Sequence, residues 1–131
     1  MTEKTNTKTL VQQYFQATQS NNASTWAACL ASDATVADPV GSQAIKGTDA
    51  ILGRGKEFMA NFETVGLYPE FVSVDNLRAA AKWTGKGVTK NGRSVKFEGI
   101  NFFEFNETGK IANLVGLWNP NDMVELPAKI I

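Results

Sequence analysis

The chain has 131 residues, enough for one domain with a hydrophobic core and an internal pocket. Its 13 lysine and arginine residues balance 13 aspartates and glutamates without any basic run, which argues against nucleic acid or an anionic membrane as a partner. Histidine is absent, so the usual metal ligand and general base are missing, and acid–base chemistry falls to carboxylates, tyrosine or lysine.

The N-terminal segment gives no targeting signal. Residues 1–8 are polar and lack the apolar core of a signal peptide, and no apolar run approaches the length of a membrane span. The single cysteine, Cys29, excludes an internal disulfide, and its apolar neighbours favour a small buried residue over a nucleophile. We therefore expect a soluble cytoplasmic protein.

Two helices are predicted first. Residues 9–20 carry apolar side chains at three- and four-residue spacing, which predicts an amphipathic helix with Tyr14 on its buried face. A buried tyrosine usually finds a partner for its hydroxyl group, which in an ordinary core is a backbone carbonyl or surface water. Ser24 is the predicted cap of a short second helix that reaches Leu30.

A strand is predicted over residues 34–40, and it carries one carboxylate among apolar side chains. Alternation places Val36, Asp38 and Val40 on the same face. Pro39 favours an extended backbone at Asp38, and Gly41-Ser42 supplies a turn. Asp38 either begins a solvated Asp-Pro turn or is a functional acid, and the absence of histidine gives weight to the second interpretation.

A third helix is predicted to open at Gly47-Thr48-Asp49 and to run through Phe62. Gly53 and Gly55 each cost up to about 1 kcal/mol relative to alanine, which predicts a kink or a frayed turn. The Gly-Arg-Gly trio around Arg54 lacks the glycine spacing and the lysine of a phosphate-binding loop.

Strands follow over residues 71–74, 78–88, 94–105 and 110–118, separated by turn residues. Asn91-Gly92 is a strong hairpin signal, because both residues tolerate positive φ. The last three strands are predicted to form an antiparallel meander. Helices followed by strands indicate an α+β fold with the helices on one face of the sheet, in a single domain over residues 1–131.

Asn101 is the single polar side chain on the apolar face of the strand over residues 94–105. A buried amide without a partner costs about 1 to 3 kcal/mol, so Asn101 needs either a protein group, such as backbone at a bulge near Gly99, or a ligand. In the last strand Trp118 is either a core residue or a pocket wall.

Several segments resemble bacterial ketosteroid isomerase, within the nuclear-transport-factor-2-like or SnoaL-like superfamily. The similarity covers essentially the whole domain, and its most specific part is the Asp-Pro-Val-Gly-Ser segment that begins at Asp38. The other matching segments are residues 11–14, 33–42, 47–48, 103–106 and 109–111. The resemblance implies a cone-like fold, in which a curved, mostly antiparallel sheet wraps around N-terminal helices and encloses an apolar pocket.

The family's chemistry then implies roles for three residues. Asp38 matches the base that moves a proton from the carbon between a ketone and an alkene to a more distant carbon. Tyr14 matches the donor to the dienolate oxygen, and Asn101 stands where the family has a second donor, an aspartic acid kept protonated. The family also has a tyrosine that supports the catalytic tyrosine where this chain has Gly55, so the donor network is altered. No cofactor or metal is implied.

The expected ligand is a small apolar ketone such as a steroid or polyketide. Proteins of this family are often dimers, so the resemblance also implies a homodimer, through the apolar face that carries Ile100 and Phe102. The hydrophobic residues available to line the pocket are Phe15, Val36, Phe58, Phe97, Phe103, Leu114 and Trp118.

Two other functions remain open. One is a SnoaL-like polyketide cyclase or dehydratase in which Asp38 still removes a proton. The other is a non-catalytic small-molecule-binding dimer module. Residues 119–131 are either a strand-capping tail or a lid across the pocket.

Overall fold

The computed structural model describes residues 6–38 and 43–127. In chain order the elements are α1 (Thr7–Thr18), α2 (Ala23–Ala27), β1 (Leu30–Ala37), β2 (Ile45–Lys46), α3 (Thr48–Met59), β3 (Phe62–Asp75), β4 (Arg78–Thr89), β5 (Ser94–Phe105), β6 (Ile111–Leu117) and β7 (Val124–Glu125). A single 3-10 turn, Pro120–Asp122, precedes β7. The predicted α+β class is confirmed. The predictions for Pro39, Val40 and the Gly41-Ser42 turn lie outside the described residues.

The helices differ from the prediction at their ends. The cap of α2 is Asn22, whose Oδ1 accepts a hydrogen bond from the Thr25 backbone at 3.1 Å, rather than Ser24. This helix ends at Ala27, because Leu30 already begins β1.

The third helix also departs from the prediction. Gly47 caps α3 at a φ of 95°, a conformation that favours glycine. The predicted break at Gly53 and Gly55 does not occur, since α3 is continuous to Met59. The helix stops there rather than at Phe62, because Phe62 is the first residue of β3.

The strands form one open, curved sheet in the order β2-β1-β6-β5-β4-β3, with β7 paired to β5. The antiparallel meander of β4, β5 and β6 is confirmed, and β1 runs parallel to β6. The first of the predicted strands is much longer than residues 71–74, because β3 begins at Phe62 and contains Pro69. A register shift between Pro69 and Phe71, at the edge of the sheet, accommodates the proline.

The core lies between the helices and the concave face of the sheet. Alternate residues of β5 are buried as predicted, and α1 packs on β3. Tyr14, Phe15 and Phe103 meet edge to face, with ring centroids 5.0 to 6.1 Å apart. Among the described residues, no helix is long and apolar enough to cross a membrane.

Candidate active site

A cavity of about 630 Å³ lies between α1, α3 and the sheet. Its volume falls within the range of small-molecule pockets. The wall is mostly aromatic and aliphatic, and three charged side chains interrupt it: Asp38, Arg54 and Glu57. The aromatic residues of the wall are Tyr14, Trp26, Phe58, Phe62, Trp83, Phe97 and Trp118.

Asp38 follows directly after β1, and its carboxylate is held from two sides. Trp118 Nε1 donates a hydrogen bond to Asp38 Oδ1 at 2.7 Å. Gly116 lies beneath the carboxyl group, and a Cβ at that position would be 2.5 Å from Asp38 Cγ. Residue 116 therefore has to be glycine for the carboxylate to occupy this position.

Burial raises the pKa of Asp38 above its usual value. The hydrogen bond from Trp118 and the charge of Arg54 lower that pKa in turn but do not cancel the effect of burial. Arg54 does not pair with the carboxylate within 4.0 Å; its Nη1 donates to the Asp38 backbone carbonyl at 2.8 Å. A carboxylate with raised proton affinity is a stronger base toward a carbon acid.

Tyr14 lines the same cavity, and its hydroxyl group accepts a hydrogen bond from Asn101 Nδ2 at 3.3 Å. On the other side of the amide, Trp83 Nε1 donates to Asn101 Oδ1 at 3.0 Å. Asn101 is completely buried and is not part of the cavity wall. The partners of its amide are therefore side chains, and the pairing of β4 with β5 passes Gly99 without a bulge.

Burial raises the pKa of Tyr14 well above its usual value, and the charge of Asp38 raises it further. The neighbouring side chains of Trp26 and Asn101 lower the pKa of Tyr14 in turn, by a smaller amount. Tyr14 is thus a protonated hydroxyl group at neutral pH, able to donate to a ligand oxygen that gains negative charge.

Trp26 explains why residue 55 is glycine. A Cβ at Gly55 would be 2.8 Å from Cε3 of the buried Trp26 ring. The indole therefore fills the space that a larger side chain at position 55 would need, and it also forms part of the cavity wall. Sequence reasoning missed this residue because the contact joins α2 to α3 and has no local signal.

The predicted site residues fall into three groups. Tyr14, Val36, Asp38, Phe58, Phe97 and Trp118 line the cavity. Asn101 lies behind the wall against Tyr14. Phe15, Phe103 and Leu114, which we expected to line the pocket, are instead fully buried core residues. Face alternation separates buried from exposed side chains, but it does not separate core from cavity wall.

The segment after β6 both pairs with the sheet and borders the cavity. Pro120 and Met123 belong to the wall, while β7 pairs with Val95 and Lys96 of β5. An exposed ion pair between Arg93 and Glu125, 2.7 Å apart, also links β7 to the residue before β5. The described part of this tail therefore pairs with the sheet, as a strand-capping tail would, and a lid across the pocket stays a prediction. Among all the residues that the structure describes, no group of three or more acidic, cysteine or histidine side chains could hold a metal ion.

Comparison with known proteins gives both family and fold. The family model described as a SnoaL-like domain matches residues 11–114. Over 122 residues the chain is 30% identical to the steroid Delta-isomerase of Nocardioides simplex, covering 92% of this chain and 96% of that protein.

Two solved structures have a similar fold, each with 21% sequence identity to this chain. One is SalBIII, an epoxide hydrolase/cyclase-like enzyme of pyran ring formation in the polyether salinomycin, with a TM-score of 0.81 over 92% of this chain and 95% of that one. The other is the Delta 5-3-ketosteroid isomerase from Mycobacterium sp., with a TM-score of 0.75 over 92% and 98%.

Proposed function

The chain belongs to the SnoaL-like domain family, and on that premise we propose that it is a ketosteroid-isomerase-like enzyme that converts a β,γ-unsaturated ketone into its conjugated isomer. The observation that carries the proposal is that Asp38 and Tyr14 face one apolar cavity. Asp38 supplies a carboxylate with raised proton affinity, and Tyr14 supplies a protonated hydroxyl group.

In the proposed reaction, Asp38 removes a proton from the carbon between the ketone and the alkene. The electrons of that C–H bond move into the conjugated system, and the ketone oxygen becomes a dienolate oxygen. Tyr14 donates a hydrogen bond from its hydroxyl group to this oxygen as charge develops. Asp38 then returns the proton to the far carbon of the system, which gives the conjugated ketone without a cofactor.

Asn101 contributes through Tyr14 in this proposal. Its amide donates to the Tyr14 hydroxyl group, which orients that group and makes it a better donor, because hydrogen bonds in a chain polarise one another. The cavity then has one fewer direct oxyanion donor than the family pattern. Loss of such a donor typically costs about 2.7 to 4 kcal/mol of transition-state stabilisation, so we expect a slower isomerase on steroids.

The proposed substrate is a small apolar ketone such as a steroid. The cavity's volume, its aromatic wall and the identity to a steroid Delta-isomerase support this class. We also propose a homodimer through the outer face of β5 and β6, where Phe102 is 46% exposed and Leu117 is 47% exposed. Sedimentation of a monomer alone at micromolar concentration would refute the dimer.

A polyketide cyclase or dehydratase is the second candidate function. The similarity in fold to SalBIII supports it, as does the replacement of an acidic donor by Asn101. In that reaction Asp38 would again remove an acidic proton, and Tyr14 would again stabilise an enolate.

The test is an absorbance assay in which a β,γ-unsaturated 3-ketosteroid becomes its conjugated isomer. We expect turnover by the natural protein, and loss of turnover in Asp38→Asn. Asp33→Asn is the matched control, since Asp33 is exposed on β1, the strand that precedes Asp38. Turnover that persists in Asp38→Asn would refute the role of Asp38. The absence of turnover in the natural protein, with turnover of a hydroxy-ketone or a polyketide-like ketone, would favour the second candidate.

A further inference from the structure

We propose that Arg54 forms an anion-binding subsite beside Asp38, so that the cavity takes an unsaturated ketone that carries a carboxylate close to its reacting end. The inference rests on the proposed function for the ketone group of the ligand. The negative charge of the ligand is argued from the surroundings of Arg54.

The placement of Arg54 is the first observation. It lies in the middle of α3, is half-buried, and belongs to the wall of the same cavity as Asp38 and Tyr14. Its Nη1 donates to the Asp38 carbonyl at 2.8 Å, so the guanidinium lies directly beside the backbone of the base. A ligand group that contacts this guanidinium is therefore near the reacting carbon.

The second observation is that this cation has no acidic partner in the described part of the chain. The ion pairs there involve Arg78, Lys82 and Arg93, and no carboxylate oxygen of the described residues lies within 4.0 Å of Arg54. Glu57, one turn further along α3, also borders the cavity but is exposed and does not pair with it. A guanidinium has five N–H donors, and the contact with Asp38 uses one of them.

The third step is the choice of ligand chemistry. A charged side chain in an apolar wall is favourable only when it is paired or solvated, so a ligand that displaces water from the cavity has to replace the solvation of Arg54. A carboxylate does this best, because its two oxygens match the planar fork of a guanidinium. A neutral ligand would leave the cation less well solvated than before binding.

The local charges make this preference selective for position. Among the described residues of the wall, Arg54 is the one cation and Asp38 and Glu57 are the acids, so an anionic group of the ligand is favoured where it contacts Arg54. An anion held there also fixes the end of the ligand that carries the acidic carbon. The preferred ligand is thus an unsaturated ketone that also carries a carboxylate, whereas a neutral ketone would bind through apolar contacts and the Tyr14 hydroxyl group and would leave Arg54 without a partner on the ligand.

The experiment compares a cyclohex-3-enone that carries a carboxymethyl group with its methyl ester. Binding is measured by calorimetry at low and high salt for the natural protein, Arg54→Gln, Arg54→Lys and Lys56→Gln. Lys56 is the matched control, because it is an exposed cation on the same helix and is not part of the cavity wall.

We expect the natural protein to bind the acid about tenfold or more tightly than the ester, as one charge-assisted hydrogen-bonded pair would give. The preference should shrink at high salt, persist in Lys56→Gln, weaken in Arg54→Lys and vanish in Arg54→Gln. Equal affinity for acid and ester in the natural protein, or no binding of the acid, would overturn the subsite without any variant having to fold.

Isomerisation of the two probes separates this inference from the proposed function. Equal turnover of acid and ester would uphold the isomerase and refute the subsite. Tight binding of the acid through Arg54, without conversion of either probe or of the 3-ketosteroid, would uphold the subsite and refute the isomerase.

Discussion

The indole nitrogen of Trp83 lies 3.0 Å from Oδ1 of Asn101, and this contact fixes the direction of the buried amide. An indole N–H can only donate, so the atom that faces it has to be the amide oxygen. The amide nitrogen consequently faces Tyr14, whose hydroxyl group accepts its hydrogen bond at 3.3 Å. The Tyr14 hydroxyl group therefore does not donate to Asn101, and its hydrogen remains available for a hydrogen bond to a ligand.

Removal of the Trp83 donor should therefore lower kcat through Asn101. In Trp83→Phe the amide is free to turn, and its oxygen can then accept the hydrogen bond that Tyr14 would give to the ligand in the proposed reaction. We expect kcat to fall by about tenfold, in line with coupling energies of about 0.5 to 3 kcal/mol for residues in one network. The measurement is a double-mutant cycle with Asn101→Leu, in steady-state kinetics.

The cycle distinguishes positioning of Tyr14 from a change of cavity shape. Trp83 also lines the cavity, so its removal can raise KM in either background. If Trp83 acts through Asn101, Trp83→Phe will lower kcat only where Asn101 is present. An equal loss of kcat in the Asn101→Leu background would contradict the directional network.

Ionisation of Asp38 should destabilise the folded protein. Its pKa is raised in the folded state, so its contribution to stability is full below the ordinary aspartate pKa of about 3.9 and is lost as pH rises through the raised value. Asp38→Asn should therefore have the higher free energy of unfolding at neutral pH. Its advantage over the natural protein should shrink toward acid pH.

Urea unfolding at about pH 4 and about pH 7.5 measures this difference. The exposed Asp33→Asn should change stability by no more than about 0.5 kcal/mol at either pH. If the difference in free energy of unfolding between Asp38→Asn and the natural protein does not change with pH, the folded state does not raise the pKa of Asp38.

Two glycines of α3 should respond oppositely to alanine. A Cβ at Gly53 would have no atom of the described residues within 4 Å, so Gly53→Ala should stabilise the helix by about 0.5 to 1 kcal/mol. Gly55→Ala gains the same propensity but places a methyl group 2.8 Å from the Trp26 ring. We expect thermal unfolding to show a gain for Gly53→Ala and no gain or a loss for Gly55→Ala; equal gains would contradict the contact.

Gly116→Ala should displace the base. The added methyl group would be 2.5 Å from Asp38 Cγ, so the carboxylate has to leave its position beside Trp118. We expect kcat to fall far more than the affinity for an apolar ligand, since the rest of the wall is unchanged. Kinetics and ligand binding measured on the same preparation test this; an unchanged kcat would show that the position of the carboxylate is not critical.

Local patterns predicted the elements that bear the site. The alternation along β5 predicted that Asn101 is buried. The apolar residues around Asp38 predicted that this acid is a candidate functional residue. The helix of Tyr14 followed from its three- and four-residue spacing. These features depend on periodicity, which is present in a single sequence.

Tertiary contacts decided the remainder. Phe15, Phe103 and Leu114 have the same pattern as the cavity residues, yet they pack in the core because of where the helices lie on the sheet. The long β3 tolerates Pro69 only because it is an edge strand with a register shift. The fit of Trp26 against Gly55 and the access of Arg54 to the cavity depend on how α2 and α3 pack, which no local pattern encodes.

The most direct test of the central claim is the fate of deuterium placed on the carbon between the ketone and the alkene of a β,γ-unsaturated 3-ketosteroid. The reaction is run in ordinary water for a single turnover, and the product is analysed by NMR. If one carboxylate, that of Asp38, removes and returns the proton, deuterium will appear at the far carbon with the natural protein and will not appear with Asp38→Asn. A conjugated product without deuterium at that carbon, or the same labelling with both proteins, would contradict the account.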